Sequence, residues 1–245
     1  MSNAQHSAIA VENLRKTFAS QGVLNGVTFY VSEGETVAVI GRSGGGKSVM
    51  LKLLIGLQKP DSGSIRIADE DITQLDDKKL NNVRKRIGFL FQQSALYDSL
   101  SVAENVAFPL IRHSRMSADE LAKRVCDVLS EVGMDRESKK LPSQLSGGMQ
   151  KRVGVARALA LDPDILLFDE PTAGLDPITA AEIGNLIVEL KRKRQLSAIV
   201  VTHDVYGAKA YSDRMLLLHD GRIKVEGSFD DLEESKEELV SKFFR

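Results

Sequence analysis

Two kinds of hydrophobic pattern alternate along this chain. Short runs of consecutive apolar residues predict strands, and longer runs with apolar residues at every third or fourth position predict helices. Two of the short runs, Thr36–Ile40 and "DILLF" at 164–168, are almost entirely apolar, which is typical of strands buried on both faces. Strands that alternate with helices in this way predict an α/β fold with a parallel or mixed sheet covered by helices.

Two stretches depart from that alternation. "AIAVENLRKTF" and "LNGVTFYVSEGE" predict early strands with turns at Gly26 and Gly34, and hence an antiparallel β subdomain. The middle of the chain opens its helices with Ser-x-x-Glu capping boxes, which predicts a helical subdomain. We therefore expect one domain made of an α/β core with the β subdomain over 8–91 and 145–229, a helical subdomain over 92–144, and a helical tail over 230–245.

Composition and charge exclude several classes of protein. The chain has 245 residues, and its 33 basic and 34 acidic residues give a net charge of −1, so no overall field attracts nucleic acid. The basic run Lys191–Arg194 ends a predicted helix, where positive charge complements the helix dipole. The single cysteine, Cys126, fits a reducing compartment. No apolar run approaches the ~18–20 residues that span a bilayer, and no signal peptide is recognisable, so we expect a cytoplasmic protein that does not bind nucleic acid.

A glycine-rich segment follows the first buried strand. Gly41-x-x-Gly44-x-Gly46-Lys47-Ser48 opens a predicted helix, which is the context in which this pattern binds phosphate. Glycines let backbone N–H groups converge on phosphate oxygens, Lys47 would contact the outer phosphates, and the Ser48 hydroxyl would bind Mg²⁺. The alternative is a simple glycine-rich turn. We interpret the segment as a nucleoside triphosphate site.

Two adjacent acids end the second buried strand. Neighbouring residues of a strand point to opposite sides, so Asp169 and Glu170 can act separately. Asp169 is suited to hold Mg²⁺, and Glu170 is suited to polarise the water that attacks the γ-phosphate. An ordinary acidic strand end facing solvent is the alternative. The position after an apolar strand and downstream of a phosphate loop disfavours that alternative. A pure GTP-dependent switch could use the aspartate alone, so Glu170 favours hydrolysis.

A second candidate anion-binding site lies about a hundred residues after the phosphate loop. Ser146, Gly147 and Gly148 stand at a predicted helix start, where free N–H groups face outward. We call the phosphate loop the first grip and this helix start the second grip. "LSGGMQ" (Leu145–Gln150), the phosphate loop and "LLFDE", in this order, resemble the ATP-binding cassette (ABC) family over nearly the whole chain. The resemblance implies an ATPase with ATP and Mg²⁺ that works as a head-to-tail homodimer. Each Ser-Gly-Gly start would then grip the γ-phosphate of ATP held by the other subunit.

The resemblance also implies roles for individual residues. Phe18 would stack on adenine, Asp176 would cross the dimer interface, and His203 would contact the γ-phosphate. Catalytic roles fall to Glu170, His203 and Gln92, and metal binding to Ser48, Gln92 and Asp169. The nucleotide-binding set comprises Phe18, Gly41, Arg42, Ser43, Gly44, Gly45, Gly46, Lys47, Ser48, Val49, Ser146, Gly147, Gly148, Gln150 and Asp176. Gln93, the neighbour of Gln92, is the second choice for the same role. Taken singly, Phe18 could be core, Gln92 a polar strand end, Asp176 a helix N-cap, and His203 a capping group.

A membrane partner is a further implication of the resemblance. The resemblance implies that the helical subdomain and the stretch after Gln92 form a groove that receives a coupling helix of a permease. The exposed candidates for this docking groove are Leu96, Tyr97, Leu100 and Val102, with internal packing as the alternative for each. Three segments, which contain Arg42, Val49 and "DPIT", resemble the ATPase of Mla-type phospholipid transporters. That likeness implies two copies of the chain beneath two permease copies at the inner face of the cell membrane, with a lipid-binding Mce-domain partner.

Three alternatives to a lipid transporter remain. The same ATPase could serve another cargo, such as an amino acid, a metal chelate or a lipoprotein. A cassette acting on DNA or the ribosome is disfavoured because no sustained heptads lie between Ser48 and Leu145 and only one cassette is present. A non-hydrolysing scaffold is disfavoured by Glu170 and His203.

The phosphate loop yields a direct prediction. Changing Lys47→Ala should weaken ATP binding itself, because the ammonium group contacts the phosphates. Titration of the variant with ATP measures this, and an unchanged affinity would remove Lys47 from the phosphate site.

Overall fold

The structure is a computed structural model, and it describes residues 7–244. Its strands are β1 (Ser7–Phe18), β2 (Gln21–Ser32), β3 (Thr36–Ile40), β4 (Ser62–Ile67), β5 (Glu70–Asp71), β6 (Ile87–Leu90), β7 (Ile165–Asp169), β8 (Ser197–Thr202), β9 (Arg214–His219) and β10 (Arg222–Gly227). Its helices are α1 (Lys47–Leu54), α2 (Asp77–Arg84), α3 (Val102–His113), α4 (Ala118–Glu131), α5 (Gly147–Leu159), α6 (Pro177–Arg194), α7 (Val205–Lys209), α8 (Phe229–Glu233) and α9 (Glu238–Ser241). No helix in this part of the chain is long and apolar enough to cross a membrane.

The fully buried strands lie at the centre of a six-stranded sheet with the order β10-β9-β3-β8-β7-β6. Every residue of β3, β7 and β8 is buried, as their apolar sequences predicted. These strands and their neighbours β6 and β9 are parallel, and β10 pairs antiparallel with β9. The sheet is therefore mixed, as predicted. The carboxyl ends of β3, β7 and β8 lie at one edge, where α/β proteins place their ligands.

A second, antiparallel sheet of four strands has the order β2-β1-β4-β5. The predicted turn at Gly34 is confirmed by a hydrogen bond from the Glu35 N–H to the Ser32 carbonyl. The predicted turn at Gly26 is wrong, because β2 continues through this residue. Leu14 faces Val27 and Arg15 faces Asn25, so Gly26 is the extra residue of a β-bulge at a φ of 96°.

The middle of the chain is helical, as predicted. Ser101 and Ser117 each cap a helix, α3 and α4 respectively, in complete capping boxes. Both helices pack against α5, which begins after the predicted boundary at 144. Apolar residues of all three helices belong to one continuous core with β7 and β8. The helical layer and α5 therefore share one hydrophobic core.

The predicted tail forms two short helices, α8 and α9. The Phe244 ring lies 5.3 Å from the Phe229 ring, and its carbonyl accepts a hydrogen bond from the Tyr206 hydroxyl on α7 at 2.8 Å. Phe244 is buried by these contacts. The tail is thus packed on the helix that follows β8.

Candidate active site

The phosphate loop connects β3 to α1. Gly46 caps α1 with a left-handed φ of 94°, a conformation that glycine adopts without strain. The buried ammonium group of Lys47 lies across the loop and donates hydrogen bonds to the carbonyls of Gly41 at 2.8 Å and Arg42 at 3.1 Å. Burial lowers the pKa of Lys47, while the charges of Glu170 and Asp169 act in the opposite direction. The phosphate loop therefore encloses the positively charged Lys47 ammonium group at the position where phosphate would bind.

Two oxygen-bearing side chains meet beside this loop. The Ser48 hydroxyl donates a hydrogen bond to Oδ1 of Asp169 at 2.9 Å, although the two residues are 121 positions apart. Burial is the largest influence on Asp169 and raises its pKa. Hydroxyl and carboxylate oxygens are the hard donors that Mg²⁺ prefers, and phosphate and water usually complete its shell. The Ser48–Asp169 pair therefore fits a magnesium ion that is shared with phosphate. Within residues 7–244, no group of three or more His, Cys, Asp or Glu residues is arranged to hold a metal ion.

Glu170 departs from the expected strand geometry. We expected Asp169 and Glu170 to point to opposite sides, but β7 ends at Asp169 and Glu170 has a left-handed φ of 50°. Alternation holds only for extended backbone, so it fails at this residue. Both carboxylates act on the pKa of Lys47, and Glu170 Oε1 lies 3.8 Å from Lys47 Nζ. The two acids therefore face the same phosphate loop with different partners.

His203 holds the Glu170 carboxylate from the other side. Glu170 Oε2 accepts a hydrogen bond from the His203 backbone N–H at 3.2 Å and lies 2.8 Å from the ring Nδ1. The His203 side chain is 59% exposed, whereas the Glu170 side chain is buried. This arrangement fixes a carboxylate that can accept a proton from water, next to an imidazole that is open to a ligand.

The phosphate loop, Gln92 and Glu170 line one cavity of 290 Å³. Of the predicted loop residues, Ser43, Gly44, Gly46, Lys47, Ser48 and Val49 line it. Gln92 is exposed, and its alternative Gln93 is absent from the lining. Val23 also lines the cavity. Val23 was not predicted from the sequence, because it lies in β2 and belongs to no motif.

Phe18 lies at the end of β1 with 41% of its surface exposed. Its ring contacts the Lys16 ammonium group, whose nitrogen is 5.4 Å from the ring centroid. The alternative interpretation of Phe18 as a core residue is therefore wrong. Its stacking on adenine remains a prediction.

The second predicted grip lies away from this cavity. Ser146 caps α5, and Ser146 and Gly147 are exposed, but none of the residues Ser146–Gly148 lines the cavity. A Cβ at Gly148 would lie 2.3 Å from the Thr179 methyl group, so only glycine allows the start of α5 to pack on α6. Asp176 caps α6 and accepts hydrogen bonds from Ile178 and Thr179. The starts of α5 and α6 therefore lie side by side, and neither lines the cavity of the phosphate loop.

Gln150 has partners within its own chain. Its amide nitrogen donates hydrogen bonds to the carbonyls of Pro142 at 3.1 Å and Leu145 at 3.4 Å. The amide therefore supports the entry into α5. Its predicted contact with nucleotide stays a prediction.

The four candidates for a docking groove are not equivalent. Val102 is fully buried, so its prediction as an exposed residue is wrong, because the hydrophobic start of α3 packs into the core. Leu96 packs against the same core, and Leu100 is half-buried. Tyr97 is 45% exposed, and its ring lies 4.6 Å from that of Phe108. Tyr97 and Phe108 line a second cavity of 360 Å³ together with Phe89, Phe91, Pro109 and Arg157.

The geometry defines a class of protein. A P-loop opens a helix after a buried parallel strand, and a Ser–Asp pair and a fixed glutamate face that loop. These are the parts of a P-loop NTPase that hydrolyses its nucleotide.

Comparison with known proteins narrows the class to a family. The family model described as "ABC transporter" matches residues 24–173. The chain is 40% identical over 236 residues to the probable ribonucleotide transport ATP-binding protein mkl of Mycobacterium leprae, covering 96% of this chain and 68% of the relative. It is 38% identical over 242 residues to the methionine import ATP-binding protein MetN 1 of Bacillus thuringiensis subsp. konkukian, covering 97% and 71% respectively. The chain thus spans about two thirds of the length of the curated relatives it matches.

Solved structures give the same result. A dimeric ATP-binding cassette in a post-hydrolysis state, bound to ADP and Pi, matches with a TM-score of 0.84 and 38% identity, covering 90% of this chain and 98% of that chain. The cbiO1 protein of Clostridium perfringens, part of the ABC transporter complex cbiONQ, matches with a TM-score of 0.87 and 31% identity, covering 97% and 94%. The chain belongs to the ABC transporter family, as an ATP-binding cassette that hydrolyses ATP with Mg²⁺ as the usual partner ion.

The position of Glu170 generates a prediction. Glu170→Gln should lower the ATP turnover number at least about 100-fold, because the amide cannot accept a proton from water, while ATP affinity changes less than about threefold. Steady-state hydrolysis and ATP titration measure the two effects. Glu189→Gln on α6, an exposed glutamate, is the matched control and should leave both unchanged. A Glu170→Gln variant with near-native turnover would contradict the catalytic role.

Proposed function

We propose that this chain is the ATPase of a transporter in which two copies close head to tail over ATP. The observation that carries the proposal is the separation of the two grips. The phosphate loop, Gln92 and Glu170 line one cavity, whereas the exposed start of α5 at Ser146 does not. A single chain therefore presents each grip on a different surface. The solved relative described as dimeric and bound to ADP and Pi supports the same arrangement.

Each side chain at the loop has a defined part in this proposal. Lys47 neutralises phosphate charge, and Ser48 and Asp169 hold the magnesium ion. When bound, Mg²⁺ neutralises charge that develops on the β- and γ-phosphates. Glu170 orients the attacking water and accepts its proton, and His203 keeps that carboxylate in place while contacting the γ-phosphate. Ser146, Gly147 and Gly148 of the second copy close the site with helix N–H groups.

The wording of three segments supports phospholipid as the cargo. "GRSGGGKSVMLKLLIGLQKPDSG", "LFQQSALYDSLSVAENVAFPL" and "DEPTAGLDPITAAEI" resemble Mla-type ATPases. We infer that two copies act at the inner face of the cell membrane, beneath two permease copies and with a lipid-binding Mce-domain partner. Within this proposal, the exposed ring of Tyr97 and the cavity beside Phe108 receive the permease.

A second candidate is the same ATPase serving a small polar solute. The names of two relatives favour it, since one is described as a probable ribonucleotide transporter component and the other as a methionine importer component. Both candidates place the cargo on the membrane partner and use the same residues of the ATPase site. They differ only in the membrane and binding partners.

The head-to-tail arrangement predicts complementation between two inactive variants. Lys47→Ala destroys the first grip, and Ser146→Arg blocks the second with a bulky cation. A mixed dimer keeps one complete site, made of Lys47 from one copy and Ser146 from the other. An equimolar mixture should therefore recover up to about a quarter of native ATPase activity, since about half the dimers are mixed and each has one of two sites intact.

Each variant alone and an equimolar mixture of Lys47→Ala with native chain serve as controls. A mixture of the two inactive variants no more active than their average would mean that both grips act within one chain. That result would contradict the proposed dimer.

If the cargo is phospholipid, specific partners and lipids should co-purify with the ATPase from membranes. The tagged full-length chain, purified with its membrane complex in mild detergent, should retain a permease and bound phospholipid identifiable by mass spectrometry. The Lys59→Ala variant, which changes an exposed lysine remote from Tyr97 in sequence, should retain the same partners, whereas Tyr97→Asp should lose them. Recovery of a methionine- or ribonucleotide-binding partner without phospholipid would favour the second candidate.

A further inference from the structure

Lys151 is a buried cation that no motif of the sequence analysis includes. It lies in α5, five residues after the helix cap Ser146, and only 5% of its surface is exposed. A buried lysine is rare unless its ammonium group is satisfied, so its partners indicate why it is there.

Those partners are two backbone carbonyls from different parts of the site. The Lys151 ammonium group donates hydrogen bonds to the carbonyl of Gln92 and, at 3.1 Å, to the carbonyl of Glu170. One residue follows β6 and precedes the helical layer, and the other follows β7. Burial lowers the pKa of Lys151, and the charges of Asp169 and Glu170 oppose this by favouring the ammonium form. A single side chain thus joins α5 to both loops.

The tie to Glu170 acts on a residue with unusual backbone geometry. Glu170 has a left-handed φ of 50°, which a residue other than glycine holds only where its surroundings impose it. Its N–H is bonded to the Val201 carbonyl at 2.8 Å, and its own carbonyl is bonded to Lys151. The direction of the Glu170 side chain toward Lys47 and His203 follows from that backbone conformation.

The tie to Gln92 acts on a loop that is held in the same way. Ser94 and Ala95 both have left-handed φ values, of 57° and 46°. Arg157, six residues further along α5, donates hydrogen bonds to the carbonyls of Ser94 and Ala95, each at 2.6 Å. Two cations on α5 therefore fix the loop at 92–95, but only Lys151 also reaches Glu170.

We propose that Lys151 is a positioning residue that makes Gln92 and Glu170 follow the movement of α5. This rests on the proposed function, in which the Ser146 end of α5 grips ATP held by the second copy. Closure of α5 on that γ-phosphate then aligns the hydrolytic carboxylate through one buried ammonium group. Lys151 touches neither nucleotide nor water in this proposal, so it governs turnover rather than binding.

The test compares Lys151→Met, which keeps the chain length and removes the donors, with Lys151→Arg, which restores them. Lys151→Met should lower kcat at least about tenfold while the KM for ATP and the affinity for a fluorescent ATP analogue with Mg²⁺ change less than about threefold. Lys151→Arg should recover part of the lost kcat. Amide hydrogen exchange in Lys151→Met should become faster at residues 92–95 and 170–173. The exposed Lys123→Met on α4 is the matched control and should match the native chain in every measurement.

Two results would overturn the proposal. One is a Lys151→Met kcat within about twofold of the native value with unchanged exchange at 92–95 and 170–173. The other is equal loss in Lys151→Met and Lys151→Arg while both melt like the native chain. If Lys151→Met loses its cooperative melting transition, Lys151→Arg alone decides, and a well-folded arginine variant that loses at least about tenfold in kcat contradicts the proposal.

Failure of the proposed function gives a different pattern. A native chain that binds ATP but does not hydrolyse it would contradict the proposed ATPase dimer. In that case the hydrogen exchange of Lys151→Met against native still decides whether the lysine holds the two loops.

Discussion

The backbone of Glu170 is the constraint on which the site depends. Its left-handed conformation costs on the order of 1 kcal/mol and persists because several groups impose it. The end of β8 accepts its N–H, the Lys151 ammonium group donates to its carbonyl, and His203 contacts its carboxylate. These groups come from well-separated parts of the chain. Because these groups restrict the backbone of Glu170, its carboxylate loses little freedom when closure of α5 aligns it with water and phosphate.

The N-termini of helices supply the groups that bind phosphate. The start of α1 forms the phosphate loop, while the starts of α5 and α6 lie together through the contact of Gly148 with Thr179. The starts of α1 and α5 present backbone N–H groups and the positive end of a helix dipole, whereas Asp176 already accepts hydrogen bonds from the N–H groups of Ile178 and Thr179 at the start of α6. The exposed α5 start does not line the cavity of the phosphate loop, so one chain presents the two anion-binding sites on different surfaces in this conformation. That geometry is why the proposed function requires two copies.

Much of the fold could be predicted from local patterns. Wholly apolar segments gave the buried strands, and Ser-x-x-Glu boxes gave the starts of α3 and α4, because each signal acts over a few residues. The bulge at Gly26 was mistaken for a turn, since glycine marks both. Val102 was expected to be exposed because the family resemblance places the permease-docking groove in the stretch after Gln92, yet α3 turns Val102 into the core.

The site was predictable where a motif carries it and not where tertiary contacts do. The Ser48–Asp169 hydrogen bond follows from two motifs that meet at one sheet edge. The shared orientation of Asp169 and Glu170 depends on one left-handed residue that no strand pattern reveals. Lys151 was missed because its partners are backbone carbonyls, which leave no signature in the sequence of either loop.

The central claim is that ATP is enclosed between two copies of this chain. Sedimentation of the Glu170→Gln variant with and without Mg-ATP tests it most directly, because slow turnover preserves the loaded state. We expect a mass of 26.9 kDa without nucleotide and about twice that value with Mg-ATP. A variant that binds Mg-ATP and still sediments as a single chain at every concentration would contradict it.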